Sequence, residues 1–107
     1  LIIKLINKIA SKDFKDAVEL SDRNSKTLGF LPYVAFEKYA KQGQLIGAFN
    51  KSTNELLGYL LYRISYNKVT IVHLCINETK RNNKTANKLV DFFKKEHKTI
   101  RRNKIEL

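Results

Sequence analysis

The run from Val69 to Ile76 is dominated by β-branched and apolar residues, and a short polar stretch separates it from an amphipathic segment that starts near Asn83. A chain with this junction must leave a strand and enter a helix within a few residues. The first-turn N–H groups of such a helix point back toward the strand end, an arrangement suited to holding phosphate. The remaining elements must fit around a sheet that contains this strand.

The rest of the pattern supplies that sheet. Ile2, Ile3, Leu5 and Ile6 read as a first strand. Ser11 or Asp13 caps a helix carrying Phe14, Ala17 and Val18 at helical spacing. Asn24, Ser25 and Gly29 loosen the pattern, and Pro32 then opens a second helix. That helix turns Phe36 and Ala40 inward, with Tyr33 and Tyr39 at its flanks and Gly43 as its stop. Leu45 to Phe49 is the next strand, Asn50 to Asn54 a loop, and Leu56 to Tyr66 a long strand apolar on both faces. Asn67 and Lys68 form a hairpin turn into Val69 to Ile76. A helix from about Asn83 to Lys98 places Ala86, Leu89, Val90 and Phe93 on one face. Lys104 to Leu107 begin a last strand. The fold class is α+β, in the order β-α-α-β-β-β-α-β. The three central strands form an antiparallel meander, and the last strand lies parallel to its predecessor through a right-handed crossover.

A chain of 107 residues makes one domain, 1–107, and its 43% hydrophobic content argues against disorder. No apolar run approaches the ~20 residues of a membrane span, and Lys4 interrupts the opening one. The expectation is a cytoplasmic protein without a membrane partner, and the leading Leu1 marks a segment of something longer. Cys75 is the one cysteine, so no internal disulfide forms. With His73 and His97 it makes no metal-ligand spacing, so no metal is expected. The net charge of +11 favours a polyanionic partner, nucleic acid or coenzyme A, or else marks a solvated lysine-rich surface. Lys94, Lys95, Lys98, Arg101 and Arg102 are the clustered cations.

Arg81 and Ala86 occupy the two ends of a pattern of Gln or Arg, two variable residues, Gly, one variable residue, then Gly or Ala. This resembles the acetyl-coenzyme A signature of the GNAT superfamily of N-acetyltransferases. Lys84 stands where that family has glycine. Its Cβ and long stem either crowd the loop or reach a phosphate. The stretches Gly43 to Phe49 and Leu57 to Tyr62 resemble the family's second and third strands. Leu28 to Pro32 and Val72 to Ile76 resemble a bacterial branch whose members accompany nuclease-type domains.

The resemblance implies a GNAT-like mixed sheet, incomplete after its fifth strand. It implies transfer of acetyl from acetyl-coenzyme A, the cosubstrate, to a primary amine. A V-shaped cleft opens between the fourth and fifth strands. Leu74, Cys75 and Ile76 would flank the pantetheine arm there, and Arg81, Asn82, Asn83, Lys84, Thr85 and Ala86 would wrap the pyrophosphate, aided by the helix dipole. His73 is the candidate general base, with Glu78 as an alternative; each also reads as a structural residue. Cys75 reads as an acyl carrier or, more simply, as a small buried apolar residue. His97 complements the helix C-terminus, and Tyr59, Tyr62 and Tyr66 line a groove or simply pack. The family's catalytic tyrosine lies past the fifth strand, so no catalytic acid is assigned. Two other readings stand beside this one: a degenerate, non-catalytic domain of a larger, nuclease-containing protein, and a basic nucleic-acid-binding module. The short last strand leaves an open sheet edge through which the chain can associate.

Overall fold

Ser11 starts the first helix. Its side chain accepts from the backbone N–H of Phe14 at 3.2 Å, so it satisfies one of the donors that a helix N-terminus leaves unpaired. In the computed structural model, which describes residues 1–66, 68–77, 83–97 and 104–106, this helix is α1 (Lys12–Arg23), preceded by strand β1 (Ile2–Leu5). The elements that follow are α2 (Ser25–Leu28), α3 (Tyr33–Lys41), β2 (Leu45–Phe49), β3 (Leu56–Ser65), β4 (Lys68–Ile76), α4 (Asn83–His97) and β5 (Lys104–Glu106). The strands form one sheet in the order β1-β2-β3-β4-β5, antiparallel throughout except for the parallel β4–β5 pair. This is the α+β, mixed-sheet order expected from the sequence.

The short helix α2 adds one element to that order. Asn24 and Ser25 do not merely break a pattern. The Asn24 carbonyl accepts from the N–H groups of Thr27 and Leu28 at 3.1 and 3.0 Å, and its side-chain amide donates to the Leu20 carbonyl at 2.9 Å. One turn forms, and Gly29 ends it at φ 86°, where a side chain is strained. Gly43, at φ 74°, closes α3 in the way expected, with Gln44 N–H bonded back to the Tyr39 carbonyl at 2.9 Å.

The sheet divides two cores. On one face Phe14, Ala17 and Leu20 of α1 and Phe36 and Ala40 of α3 bury against Leu45, Phe49, Leu56, Tyr59, Leu61 and Cys75. Phe14, Phe36 and Tyr59 stack edge to face with centroids 6.1 and 5.4 Å apart, a geometry worth about 0.5–1.5 kcal/mol per pair beyond burial. On the other face Leu89 and Phe93 of α4 cover Ile46, Ala48, Leu60, Tyr62 and Val69. The inward stripe of α4 is Thr85, Leu89, Phe93 and His97, with Ala86 and Val90 half-buried beside it. The His97 ring bonds the Phe93 carbonyl at 2.8 Å, one turn back, and lies edge-on to Tyr62. The three tyrosines of the long strand do not converge: Tyr59 and Tyr62 are buried on opposite faces, and Tyr66 is fully exposed.

Two strand irregularities set side-chain direction. In β3, Phe49 pairs with Leu56 and Ala48 with Gly58, so Leu57 is an extra residue. In β4, Tyr62 pairs with Ile71 and Leu61 with His73, so Val72 is an extra residue. Extra residues of this kind bend a strand and re-aim its side chains. Val69 and Ile71 face α4, and simple alternation would send His73 there too. The bulge instead turns both Val72 and His73 toward the α1 and α3 face.

Candidate functional site

The site is built on β4. Its N-terminal half is held on both edges, with Lys68, Val69 and Thr70 paired to Lys104, Ile105 and Glu106 of β5. Among the described residues this pairing stops at Thr70, two positions before the bulge at Val72. Asn77 N–H donates inward to the Leu57 carbonyl at 2.8 Å. By strand alternation the backbone groups of Leu74 and Ile76 face the outer edge, where they can pair with an extended, amide-bearing ligand. Their half-buried side chains pack on the α4 face. Cys75 points to the other core, buried, with its thiol beside the Tyr59 hydroxyl.

His73 lies on the α1 and α3 face and is 8% exposed. The Tyr59 hydroxyl is 3.2 Å from its Nδ1. Burial pushes the His73 pKa below the ordinary 6.5, and the nearby Leu28 carbonyl, an acceptor that favours the charged ring, opposes that only in part. The Tyr59 phenol is pushed far up by burial, so it stays neutral. Ser21, on α1, is 1% exposed, and its Oγ has no partner at strict hydrogen-bond geometry. It is still near enough to the phenol to favour ionisation slightly against the dominant effect of burial. Ser21, Tyr59, His73 and Cys75 thus form a polar group inside an otherwise apolar face. Nothing in the sequence spacing marks it, because Tyr59 and His73 meet only through the β3–β4 register.

At the far end of β4 the chain enters α4. Thr85 is buried, while Lys84 and Lys88 are exposed and, with Asn50, Lys51 and Ser52 of the β2–β3 loop, rim a recess of about 310 Å³. Asn83 begins the helix. Arg81 and Asn82, and the alternative base Glu78, lie outside the described residues. A second recess, about 220 Å³, mixes Lys12 and Arg23 with Asp16, Glu19 and Glu55 near Asn77. His73 lines neither recess. Of the basic cluster, Lys94 and Lys95 are exposed on α4, and Lys98, Arg101 and Arg102 lie outside the described residues. Among the described residues no group of His, Cys, Asp or Glu could hold a metal, and no helix is long and apolar enough to cross a membrane.

No protein-family model matches the sequence, and no curated protein matches it. Solved structures do match. N-acetylglutamate synthase from Neisseria gonorrhoeae, complexed with coenzyme A and N-acetyl-glutamate, superposes with a TM-score of 0.78 at 12% identity over 92% of this chain. Rv2747 from Mycobacterium tuberculosis, in complex with CoA, gives 0.79 at 11% over 94%. Aminoglycoside 6'-N-acetyltransferase from Enterococcus faecium gives 0.70 at 14% over 94%. The fold is that of the GNAT acetyltransferases. The chain spans 23%, 59% and 56% of the lengths of these three proteins. At such identities the likeness rests on the course of the backbone, not on shared side chains.

Proposed function

We propose that this chain is a GNAT domain that transfers acetyl from acetyl-coenzyme A to a primary amine. The observation that carries the reading is the course of β4, bent at the extra residue Val72 so that beyond it the backbone groups of Leu74 and Ile76 turn away from β3, in a fold shared with acetyltransferases solved with coenzyme A. When bound, acetyl-coenzyme A supplies an acyl group activated as its thioester. The fit of this chain's residues to that molecule is good at both ends. The outward backbone groups of Leu74 and Ile76 match an arm that carries amides, and the first turn of α4 offers N–H groups and the exposed Lys84 to a pyrophosphate. Lys51 and Lys88 beside Lys84 add positive charge at that end. Because most of these contacts come from backbone, a departure such as Lys84 in place of glycine is compatible with binding. Neighbours of this fold solved with coenzyme A, one of them also with N-acetyl-glutamate, support a cosubstrate and an amine acceptor.

The α1 and α3 face of β4 is the side from which the amine approaches in this reading. His73 and Cys75 are the titratable side chains that β4 sends there, and Phe30 on the connection past Leu28 and Tyr33 and Val34 in the first turn of α3 are exposed. Calorimetric titration with coenzyme A, followed by an amine-dependent thiol-release assay with acetyl-coenzyme A, tests the proposal. Binding with release that requires an amine is the expected result. No heat at millimolar coenzyme A would replace this reading with that of a degenerate domain.

A further inference from the structure

We propose that the recess between the β2–β3 loop and the first turns of α4 is a seat for a phosphate monoester, and that in acetyl transfer the 3′-phosphate of coenzyme A fills it. The second half rests on the function proposed above. The anion site itself does not.

Three lysines from two separate elements meet at this recess: Lys51 on the loop, and Lys84 and Lys88 on α4. Among the described residues that line it, none is acidic. Lys51 and Lys88 also form no ion pair among the described residues. The recess beside α1 differs. There Lys12 and Arg23 are interleaved with Asp16, Glu19 and Glu55, and Lys12 bridges Asp16 at 2.6 Å, so the charge is balanced within the chain.

The lysines of α4 stand where helix physics disfavours them. Lys84 and Lys88 are an i, i+4 pair of like charge, which repels. Lys84 lies in the first turn, at the positive end of the helix dipole, and that turn holds no acidic residue. Lys51 brings a third cation to the same place. A dianion seated among them reverses each of these costs. The loop holds its own part in place: Asn50 Oδ1 accepts from the N–H groups of Ser52 and Thr53 at 2.8 and 3.1 Å, and backbone bonds from Asn50 N–H to the Glu55 carbonyl and from Asn54 N–H to the Asn50 carbonyl close it at 2.9 and 2.8 Å. Lys51 and the Ser52 hydroxyl are thereby presented together at the rim.

A phosphate monoester matches this set of donors. At neutral pH it carries close to two negative charges and three acceptor oxygens, more than either phosphate of a pyrophosphate linkage. The volume of about 310 Å³ exceeds what a lone anion fills and leaves room for the sugar that bears it. In coenzyme A the 3′-phosphate and the pyrophosphate are carried on one ribose. With the pyrophosphate at the first turn of α4, the monoester lies one sugar away, and Lys88 lies one helical turn, about 5–6 Å, beyond Lys84.

The test compares wild type with the double variant Lys51→Gln/Lys88→Gln, which changes two exposed positions and keeps the fold. Amide NMR shifts are followed as inorganic phosphate is added, with chloride at equal ionic strength as the reference. Saturable shifts at Lys51, Ser52 and Lys88 that vanish in the variant are expected. No saturable shift, or one that the variant retains, overturns the site. Calorimetry then compares coenzyme A with dephospho-coenzyme A, which lacks only the 3′-phosphate. Wild type should favour coenzyme A by about 5–30-fold, the effect of two exposed charge contacts, and the variant should lose most of that preference. A wild-type ratio near one, or a preference that the variant keeps, overturns coenzyme A as the source of the monoester. If neither molecule binds, the proposed function fails, and the phosphate titration alone decides the site.

Discussion

Gly58 is the position where a single methyl group tests the geometry of β4 most directly. It lies on β3 opposite Ile76, next to the extra residue Leu57. A Cβ built there would stand 2.7 Å from Ile76 Cδ1, 2.8 Å from the Cys75 carbonyl oxygen and 3.3 Å from Ile76 Cα. The Ile76 methyl can rotate away. The Cys75 carbonyl and the Ile76 Cα cannot, because they belong to the backbone, so β4 must shift outward over its last residues. Overpacking of this kind costs about 1–3 kcal/mol. The loss of chain entropy in the unfolded state returns about 0.4–1 kcal/mol for a glycine-to-alanine change. A net destabilisation of about 1–2 kcal/mol follows, which lowers a urea midpoint by roughly 0.5–1 M at an m-value of about 2 kcal/mol/M. Gly47→Ala is the control. Its Cβ would meet Ile6 Cδ1 at 2.6 Å and the Phe49 ring at 2.8 and 2.9 Å, side-chain atoms alone. Urea unfolding of both variants, followed by circular dichroism, gives the comparison. A Gly58→Ala midpoint at or above wild type, or one less affected than Gly47→Ala, would refute the close approach of β3 and β4. Coenzyme A affinity should fall in Gly58→Ala as well, since the displaced residues carry the outward groups of Leu74 and Ile76.

Stability should also depend on His73. Its folded pKa is lowered by burial, so on acidification the unfolded chain protonates first. Stability is then unaffected above about pH 6.5, declines as pH falls below it, and levels off below the folded pKa. Thermal unfolding across that range should show this component in wild type and lack it in His73→Gln; an identical pH profile would refute it. At the other end of β4, Lys84→Ala should weaken coenzyme A binding by about 0.5–1.5 kcal/mol, the range of a charge-assisted contact at an exposed site. Calorimetry that finds tighter binding would mean that Lys84 crowds the loop, and unchanged affinity would mean that it faces solvent.

What could be read from the sequence was whatever local chemistry dictates. Ser11, Pro32, Gly43 and the start of α4 at Asn83 announce themselves through capping and propensity, and each element of the sheet follows from runs of apolar residues. The one-turn helix at Ser25–Leu28 was missed because Asn24, Ser25 and Gly29 are breakers in isolation, and only their hydrogen bonds to α1 and to one another make a turn. The bulges at Leu57 and Val72 leave no mark either. Leu56 to Tyr62 is buried throughout, so there is no alternation from which a slip could be noticed. The direction of His73 depends on the second of those bulges, and its contact with Tyr59 depends on the register that the bulge sets. His73, Leu74, Cys75 and Ile76 could therefore be named as site candidates from sequence, but not the faces they serve. Arg81 and Asn82 lie outside the described residues.

The pairing of β1 with β2 has a consequence for how the chain folds. Leu5 meets Ile46 and Ile2 meets Phe49 only after the chain has passed through three helices, so the contact closes a loop of about 40 residues, whereas β2, β3 and β4 are joined by short hairpin connections. The hairpins can form from neighbours in sequence, and the loop closure must wait for a surface to close onto. The β2–β3–β4 meander, with Leu60, Tyr62 and Val69 ready to receive α4, is the natural nucleus, and β1 docks late at its edge. Amide hydrogens of β1 should accordingly exchange by local opening well before those of β3. In the site strand the amides that pair with β3, those of Cys75 and Asn77 among them, should exchange slowly with β3, and the outward amides of Leu74 and Ile76 faster.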